Sequence, residues 1–158
     1  MSRAYETGWT GTVTNAGGNN DLASLQAADD KPCYIDGFRI GQLSEVGDAA
    51  EEGLSITIYR FTATVTIGSG GSAVVPTAVD QADTAAGAKF RINDTVVATT
   101  SGSSLVLEEI AWNIRASPWE TWKPESPVQI KQGEAWIMRL NTTVADDISF
   151  AMTLFFHE

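Results

Sequence analysis

The chain has 158 residues, of which 43% are hydrophobic, so it fits one globular domain and is not a disordered chain. It carries 20 acidic and 10 basic residues, a net charge of −10, and has no dense cluster of Lys and Arg. Because nucleic acids and anionic membranes are bound through basic surfaces, neither is expected as a partner. No signal peptide and no transmembrane run is recognisable, which favours a reducing cytoplasm as the place of synthesis.

Strand patterns follow one another along the chain, and helical periodicity is hard to find. Residues 3–13 alternate around Tyr5 and Trp9, and the Gly- and Asn-rich residues 14–21 predict a turn. The further predicted strands are 21–26, 33–43, 54–67, 89–94, 95–100, 103–116, 128–130, 135–140 and 148–158. In the last strand five apolar residues alternate strictly: Ile148, Phe150, Met152, Leu154 and Phe156.

These ten segments, of which 89–94 and 95–100 are contiguous, give about eight or nine strands joined by long connections. Such a pattern is typical of a sandwich or barrel. Long connections favour a Greek key or jelly roll over a meander. We therefore predict an all-β protein, a single jelly-roll-like β-sandwich domain over residues 1–158. Ile35 and Ile40 are five residues apart, so in a regular strand they would face opposite sides. A β-bulge at Gly37 or Gly41 is therefore predicted, because it would let both face the same side.

An unusually long connection runs from residue 67 to residue 89, whereas most connections have about 4–6 residues. The glycines between Gly68 and Gly71 predict a flexible root. The middle of the segment is apolar enough to form an extended arm, through Val74, Val75, Pro76 and Val79. Two interpretations stay open: the arm lies along a neighbouring subunit, or it is a tolerated surface loop.

The segment between Trp112 and Pro127 is rich in aromatic residues and proline and is interpreted as a loop. Trp119 and Trp122 are either a lid over one end of the sandwich or an exposed platform for a protein or a sugar.

Catalytic chemistry is not expected from this composition. Cys33 is the single cysteine and is predicted to be a buried apolar side chain, and His157 is the single histidine. A nucleophilic site needs a histidine held beside the nucleophile, and a zinc site needs three or four ligands. The acidic loop at Glu45, Asp48, Glu51 and Glu52 matches no EF-hand spacing. We therefore expect no enzyme activity, no metal site and no cofactor.

Four short sequences occur in a characteristic order: ADDKP (28–32), SEVGDAAEE (44–52), GSGGSA with a proline shortly after it (68–76), and AAG (85–87). An aromatic loop and an alternating C-terminal strand follow them. This succession resembles small virion-associated structural proteins of tailed bacteriophages and prophages. The resemblance covers most of the chain, although its motifs are short loop sequences, and it supplies no catalytic residues.

The resemblance implies a head decoration, or cement, protein that binds the major capsid protein as a homo-oligomer, with a trimer favoured. Its location would be the capsid surface of the virion, after assembly in the bacterial cytoplasm. A tail or head-completion component remains open within this class. A carbohydrate-binding module, for example on a spike, is the alternative from another class. The candidate contact residues are Tyr5, Trp9, Glu45, Asp48, Glu51, Glu52, Val74, Val75, Pro76, Val79, Trp119 and Trp122.

Overall fold

The computed structural model describes residues 2–14, 19–44, 53–113 and 118–158. Within these ranges the chain forms fourteen β-strands and no helix, so the predicted all-β class is confirmed. Eight strands have six residues or more. In chain order the strands are β1 (Ala4–Val13), β2 (Asn20–Gln26), β3 (Cys33–Gln42), β4 (Gly53–Phe61), β5 (Val65–Thr66), β6 (Ser72–Val74), β7 (Thr77–Ala78), β8 (Lys89–Asp94), β9 (Thr99–Thr100), β10 (Ser104–Asn113), β11 (Trp119–Trp122), β12 (Val128–Ile130), β13 (Ala135–Leu140) and β14 (Ile148–His157).

The strands form two large sheets. Sheet A has the order β11–β3–β14–β1–β7, with β12 also paired to β3 beyond β11. Sheet B has the order β10–β4–β13–β2–β8–β6, and β5 and β9 form a small third sheet. The pairs that build these sheets are antiparallel.

The pairing order identifies the fold as a jelly roll. Strand β1 pairs with β14, β2 with β13, β3 with β11 and β12, and β4 with β10. If β11 and β12 are counted as one interrupted strand, these are eight strands paired from the two ends of the chain inwards. Members of successive pairs alternate between sheet A and sheet B. This is the arrangement of a long ribbon rolled into two Greek keys, and it confirms the predicted fold class.

The core lies between the facing sides of the two sheets. All five alternating apolar residues of β14 are buried, as the sequence predicts. Two aromatic pairs join the sheets directly: Phe38 lies 6.0 Å from Trp136, and Trp112 lies 5.8 Å from Phe150, measured between ring centroids. Large buried rings contribute most to such a core, so these contacts hold the sheets face to face.

Residues 62–103 are an insertion in the jelly roll, between β4 and β10. The excursion predicted at 67–89 is therefore only its middle part. Strands β8 and β6 of this insertion extend sheet B beyond β2, and β7 extends sheet A beyond β1. A second small apolar cluster joins Phe61, Val65 and Ala98 to Ile137 of β13. Ile137 alternates with core residues of β13, so it points to the outer face of sheet B, and the insertion packs on part of that face.

Three local predictions differ from the structure or are refined by it. The strand predicted over 54–67 ends at Phe61, because the chain turns at Ala63, whose φ is 64°. Residues 95–98 are not part of a strand, and only Thr99–Thr100 pair. The predicted bulge exists: the register shifts so that Asp36, next to Gly37, is the extra residue of β3.

Candidate functional site

The predicted arm lies on the protein's own sheets. Val74 in β6 pairs with Phe90 in β8, and Thr77 in β7 pairs with Glu6 in β1. The chain between them passes from the edge of sheet B to the edge of sheet A, so the arm closes one side of the sandwich. Contact with a second subunit remains a proposal, and such a subunit would meet an arm that is already folded.

The four apolar residues of the arm divide into two kinds. Pro76 is buried and Val74 is partly buried against the core. Val75 and Val79 point outwards, with 80% and 59% of their surfaces exposed. Beside them runs a shallow groove with an apolar floor that includes Phe90, and Lys89 and Arg91 are among its lining residues: Ile67, Ala73, Val74, Val75, Pro76, Ala86, Ala88, Lys89, Phe90 and Arg91.

The glycine-rich root of the arm is packed rather than loose. A Cβ atom at Gly71 would collide with the carbonyl oxygen of Ile92, and Gly70 has a φ of 89° that favours glycine. The N–H of Gly71 donates to the buried carboxylate of Asp94 at 3.0 Å. The flexible root expected from the sequence is therefore wrong, because close backbone approach is the reason for these glycines.

Two buried carboxylates accept hydrogen bonds from the backbone of the insertion, at Ala98 and at Gly71. Asp21 of β2 accepts hydrogen bonds of 2.6 Å from the N–H of Ala98 and from Nε of Arg139. Burial raises the pKa of Asp21, and the Arg139 hydrogen bond opposes that rise. Asp94 is paired with Arg91 at 2.7 Å, and this hydrogen bond raises the pKa of the Arg91 guanidinium.

A third carboxylate holds the chain just before β8. Glu158 accepts hydrogen bonds from the N–H groups of Gly87 and Ala88, at 3.1 and 2.6 Å. Its side chain is buried and pairs with Lys31 at 2.5 Å. The hydrogen bond to Glu158 raises the pKa of Lys31.

Two predicted contact residues are core residues instead. Tyr5 has 1% of its surface exposed, stacks on Phe156 with 5.4 Å between ring centroids, and donates its hydroxyl to the carbonyl of Thr84. Trp9 is 8% exposed. Both alternate with exposed residues of β1, so they occupy the inward parity of that strand and cannot present their side chains to a partner.

Trp119 and Trp122 lie in a strand, β11, and not in a loop as predicted. They are 37% and 55% exposed. Three positions apart in a strand, they point to opposite faces, so they cannot form one lid or one platform. Trp119 pairs with the buried Ile40, so its side chain lies on the inner face of sheet A. Trp122 contacts Phe155, whose side chain points outwards from β14, so Trp122 lies on the outer face.

The outer face of sheet A carries further side chains that sequence reasoning missed. Arg39 pairs with Glu120 at 2.8 Å, with both side chains about half exposed. This hydrogen bond lowers the pKa of Glu120 and raises that of Arg39. The sequence signal for Phe155 is its position in the last strand, between the buried residues Leu154 and Phe156, which places its side chain on the outer face.

The histidine takes part in a structural contact on the same face. Nδ1 of His157 lies 2.9 and 3.0 Å from the two carboxylate oxygens of Asp36, and its ring stacks on Tyr34 with 4.9 Å between centroids. Cys33 is buried, as predicted, and burial raises its pKa to about 12. A thiol with such a pKa stays protonated near neutral pH and is a poor nucleophile.

The acidic loop predicted at Glu45, Asp48, Glu51 and Glu52 lies outside the described residues. In the ranges that the structure describes, no three His, Cys, Asp or Glu side chains are grouped as metal ligands. The same ranges contain no helix that is long and apolar enough to span a membrane.

Comparisons with known proteins give weak similarities. No protein-family model and no curated protein matches the chain. A structure of infectious bursal disease virus, Gx strain, is 16% identical with a TM-score of 0.21, covering 99% of this chain and 42% of that chain. A mutant VP2 protein of infectious bursal disease virus, in derived T=1 particles, is 13% identical with a TM-score of 0.23, covering 99% and 40%. The chain thus spans less than half the length of these viral proteins, and similarity at this level carries no argument about its role.

Proposed function

We propose that the chain is a structural protein of a tailed-bacteriophage virion, and specifically a capsid decoration protein that binds the major capsid protein and stabilises the head lattice. The observation that carries this proposal is the insertion of residues 62–103. It extends both sheets at one side of the sandwich and presents Val75 and Val79 to solvent on a backbone fixed by buried carboxylates. A preformed arm loses little conformational freedom on binding, which favours lasting attachment.

The size of the arm argues for several copies acting together. A stable protein interface buries about 1,000 Å² or more, and two exposed valines with their surroundings supply only part of that area. A trimer would place three arms on the lattice at once, and the linked contacts would add avidity. The partner is the capsid protein, and the chain would perform no reaction.

Fold alone does not choose between the two predicted classes, because jelly rolls occur in viral capsid proteins and in lectins. The sequence resemblance and the anchored arm favour the virion role. The binding of sugars depends on different residues, on the outer face of sheet A, and has its own test.

The decisive experiment uses heads that lack this chain, from the phage or prophage that encodes it. Purified chain is added, and co-sedimentation and the temperature of head disruption are measured. We expect the wild type to bind and to raise that temperature, and the double variant Val75→Asp with Val79→Asp to do neither. Val106→Asp is the control, because Val106 is also an exposed valine, at 55% close to the 59% of Val79, and lies on the far edge strand β10 of sheet B.

Two results would count against the proposal. Heads that neither bind the chain nor gain thermal resistance exclude a decoration role. Recovery of the chain with tails, when virions are dissociated and their proteins are identified by mass spectrometry, would assign it to the tail. Sedimentation equilibrium of the purified chain at low and physiological salt tests the trimer separately.

A further inference from the structure

Trp122 is an exposed tryptophan on the outer face of sheet A. Trp122 is 55% exposed and contacts Phe155 at 5.1 Å between ring centroids, with the ring planes at 86°. A perpendicular contact covers at most one face of an indole, so at least one face is not covered by Phe155. The same contact limits the motion of the ring, which lowers the entropy lost when a ligand stacks on it.

A shallow trough lies on the outer face of sheet A; Arg39 lines it, and Trp122 lies outside its lining, next along the face through Glu120. Its lining includes small residues that are neighbours in the register of sheet A: Gly8 pairs with Thr153, and Ala151 pairs with Gly41. The exposed Leu43 adds one larger apolar side chain to the lining. Arg39 and Pro118 stand along one side, toward β11. Glu120, the partner of Arg39, is two residues from Trp122 in β11, which is about 7 Å along the strand.

These groups match the two kinds of surface on a sugar ring. A pyranose has a face of C–H groups that packs on an aromatic ring, and it has hydroxyls at its edge. Arg39 offers several N–H donors and Glu120 offers carboxylate acceptors, and both side chains remain about half exposed in their pair. The outward residues nearby are mainly Gly, Ala, Ser and Thr, which suits a hydroxyl-rich ligand better than an apolar protein surface.

Charge decides which sugars fit. The chain has a net charge of −10, and the outer face of sheet A contributes the exposed carboxylates of Glu6 and Glu120. A polyanionic sugar would be repelled at long range. We propose that the outer face of sheet A binds a neutral glycan of pyranose units, with Trp122 as the stacking residue and Arg39 with Glu120 as hydrogen-bonding residues.

This binding activity goes beyond capsid decoration and does not rest on it. The glycan site uses sheet A and β11, whereas the proposed capsid contact uses Val75 and Val79 of the insertion. Each can therefore fail while the other holds, and the valine variants serve as controls for the glycan assay.

The test is affinity electrophoresis in native gels that contain dextran, laminarin, yeast mannan or galactan, with polygalacturonate as the anionic comparison. We expect at least one neutral polysaccharide to retard the wild type and Trp122→Ala to weaken that binding by about tenfold or more. Trp119→Ala is the matched control, because Trp119 lies in the same strand but on the opposite face. It should bind as the wild type does.

Trp122→Ala could weaken binding simply by disturbing β11, so a second variant changes a residue of β14 instead. Ala151→Trp fills the trough without removing any residue of the proposed site, and it should also abolish retardation. Wild-type mobility that is unchanged in every neutral gel overturns the proposal, and so does an equal loss in Trp119→Ala. Retardation by polygalacturonate alone would overturn the assignment of a neutral ligand.

Discussion

Asp21 and Asp94 are directly opposed in the β2–β8 pair, and both carboxylates are buried. Each is matched by one arginine, Arg139 for Asp21 and Arg91 for Asp94, and each accepts a hydrogen bond from one backbone N–H of the insertion. Two like charges thus lie side by side in the protein, and the arginines offset their repulsion. The Asp21 contacts join Ala98 of the insertion to the jelly roll, whereas the Asp94 contacts hold Gly71 and Arg91 together within the insertion.

The first prediction concerns the loss of one of these carboxylates. Asp94→Ala leaves the Arg91 guanidinium and the N–H of Gly71 without their acceptor, so we expect the free energy of unfolding to fall by about 2–4 kcal/mol. Urea denaturation measures this change. Asp83→Ala is the control, because it removes only a partly exposed ion pair with Arg3, 3.4 Å long, and should change stability little. Equal effects of the two variants would contradict the prediction.

The raised pKa of Asp21 leads us to expect that its contribution to stability falls as the pH rises. Burial raises its pKa in the folded protein above the ordinary value of 3.8, so the folded state binds this proton more tightly than the unfolded state. Its contribution to stability therefore decreases as the pH rises from 3.8 through the folded pKa, and it is constant above that. Urea unfolding between pH 4 and 7 should show the wild type losing stability relative to Asp21→Asn as the pH rises. A difference that stays flat, or that has the opposite slope, would reject this assignment.

Gly37 predicts a steric effect at the bulge of β3. A Cβ atom there would collide with the carbonyl oxygen of Thr121, so Gly37→Ala has to push β11 away from β3. We expect a loss of about 1–3 kcal/mol, as for other overpacked sites, together with a change in the near-ultraviolet circular dichroism of Trp122. Gly8→Ala is the control: its nearest contact, Oγ1 of Thr153 at 3.7 Å, is an ordinary one. If Gly37→Ala is as stable as the wild type, β11 can move aside without loss of stability and the prediction is wrong.

Much of the jelly roll could be predicted from the sequence, because its strands carry a period-2 pattern with one buried face. The strand from Ile148 to His157 is the clearest case, since its inward residues alternate without a break. Turn chemistry around residues 14–21 and at 131–134 bounded the neighbouring strands equally well. These signals depend only on neighbouring residues, and they are enough to predict the succession of strands along the chain.

The surfaces could not be predicted in the same way, because they depend on pairing between distant parts of the chain. Strand β11 is bounded by prolines and pairs only at the sheet edge, so its residues resemble a loop. The sequence of β1 predicts alternation but not which of its two faces turns inwards, so burial of Tyr5 and Trp9 cannot be predicted from the strand alone. The glycines at 68–71 indicate flexibility when read alone, and the close approach to Ile92 that explains Gly71 exists only in the folded protein.

Glu158 supplies the last prediction, which concerns local opening of the insertion. Its carboxylate is the acceptor for the N–H groups of Gly87 and Ala88, so Glu158→Ala should accelerate hydrogen exchange at both amides by about tenfold or more. In the wild type, the pKa of Lys31 is raised above 10.5, so the pair stabilises the fold fully below that pH and is lost as the pH rises through the folded pKa. The exposed pair of Arg39 and Glu120 is the control, since Glu120→Ala breaks an ion pair far from these amides and should leave their exchange unchanged. Exchange of Gly87 and Ala88 at the wild-type rate in Glu158→Ala would show that the Glu158 carboxylate does not protect these amides.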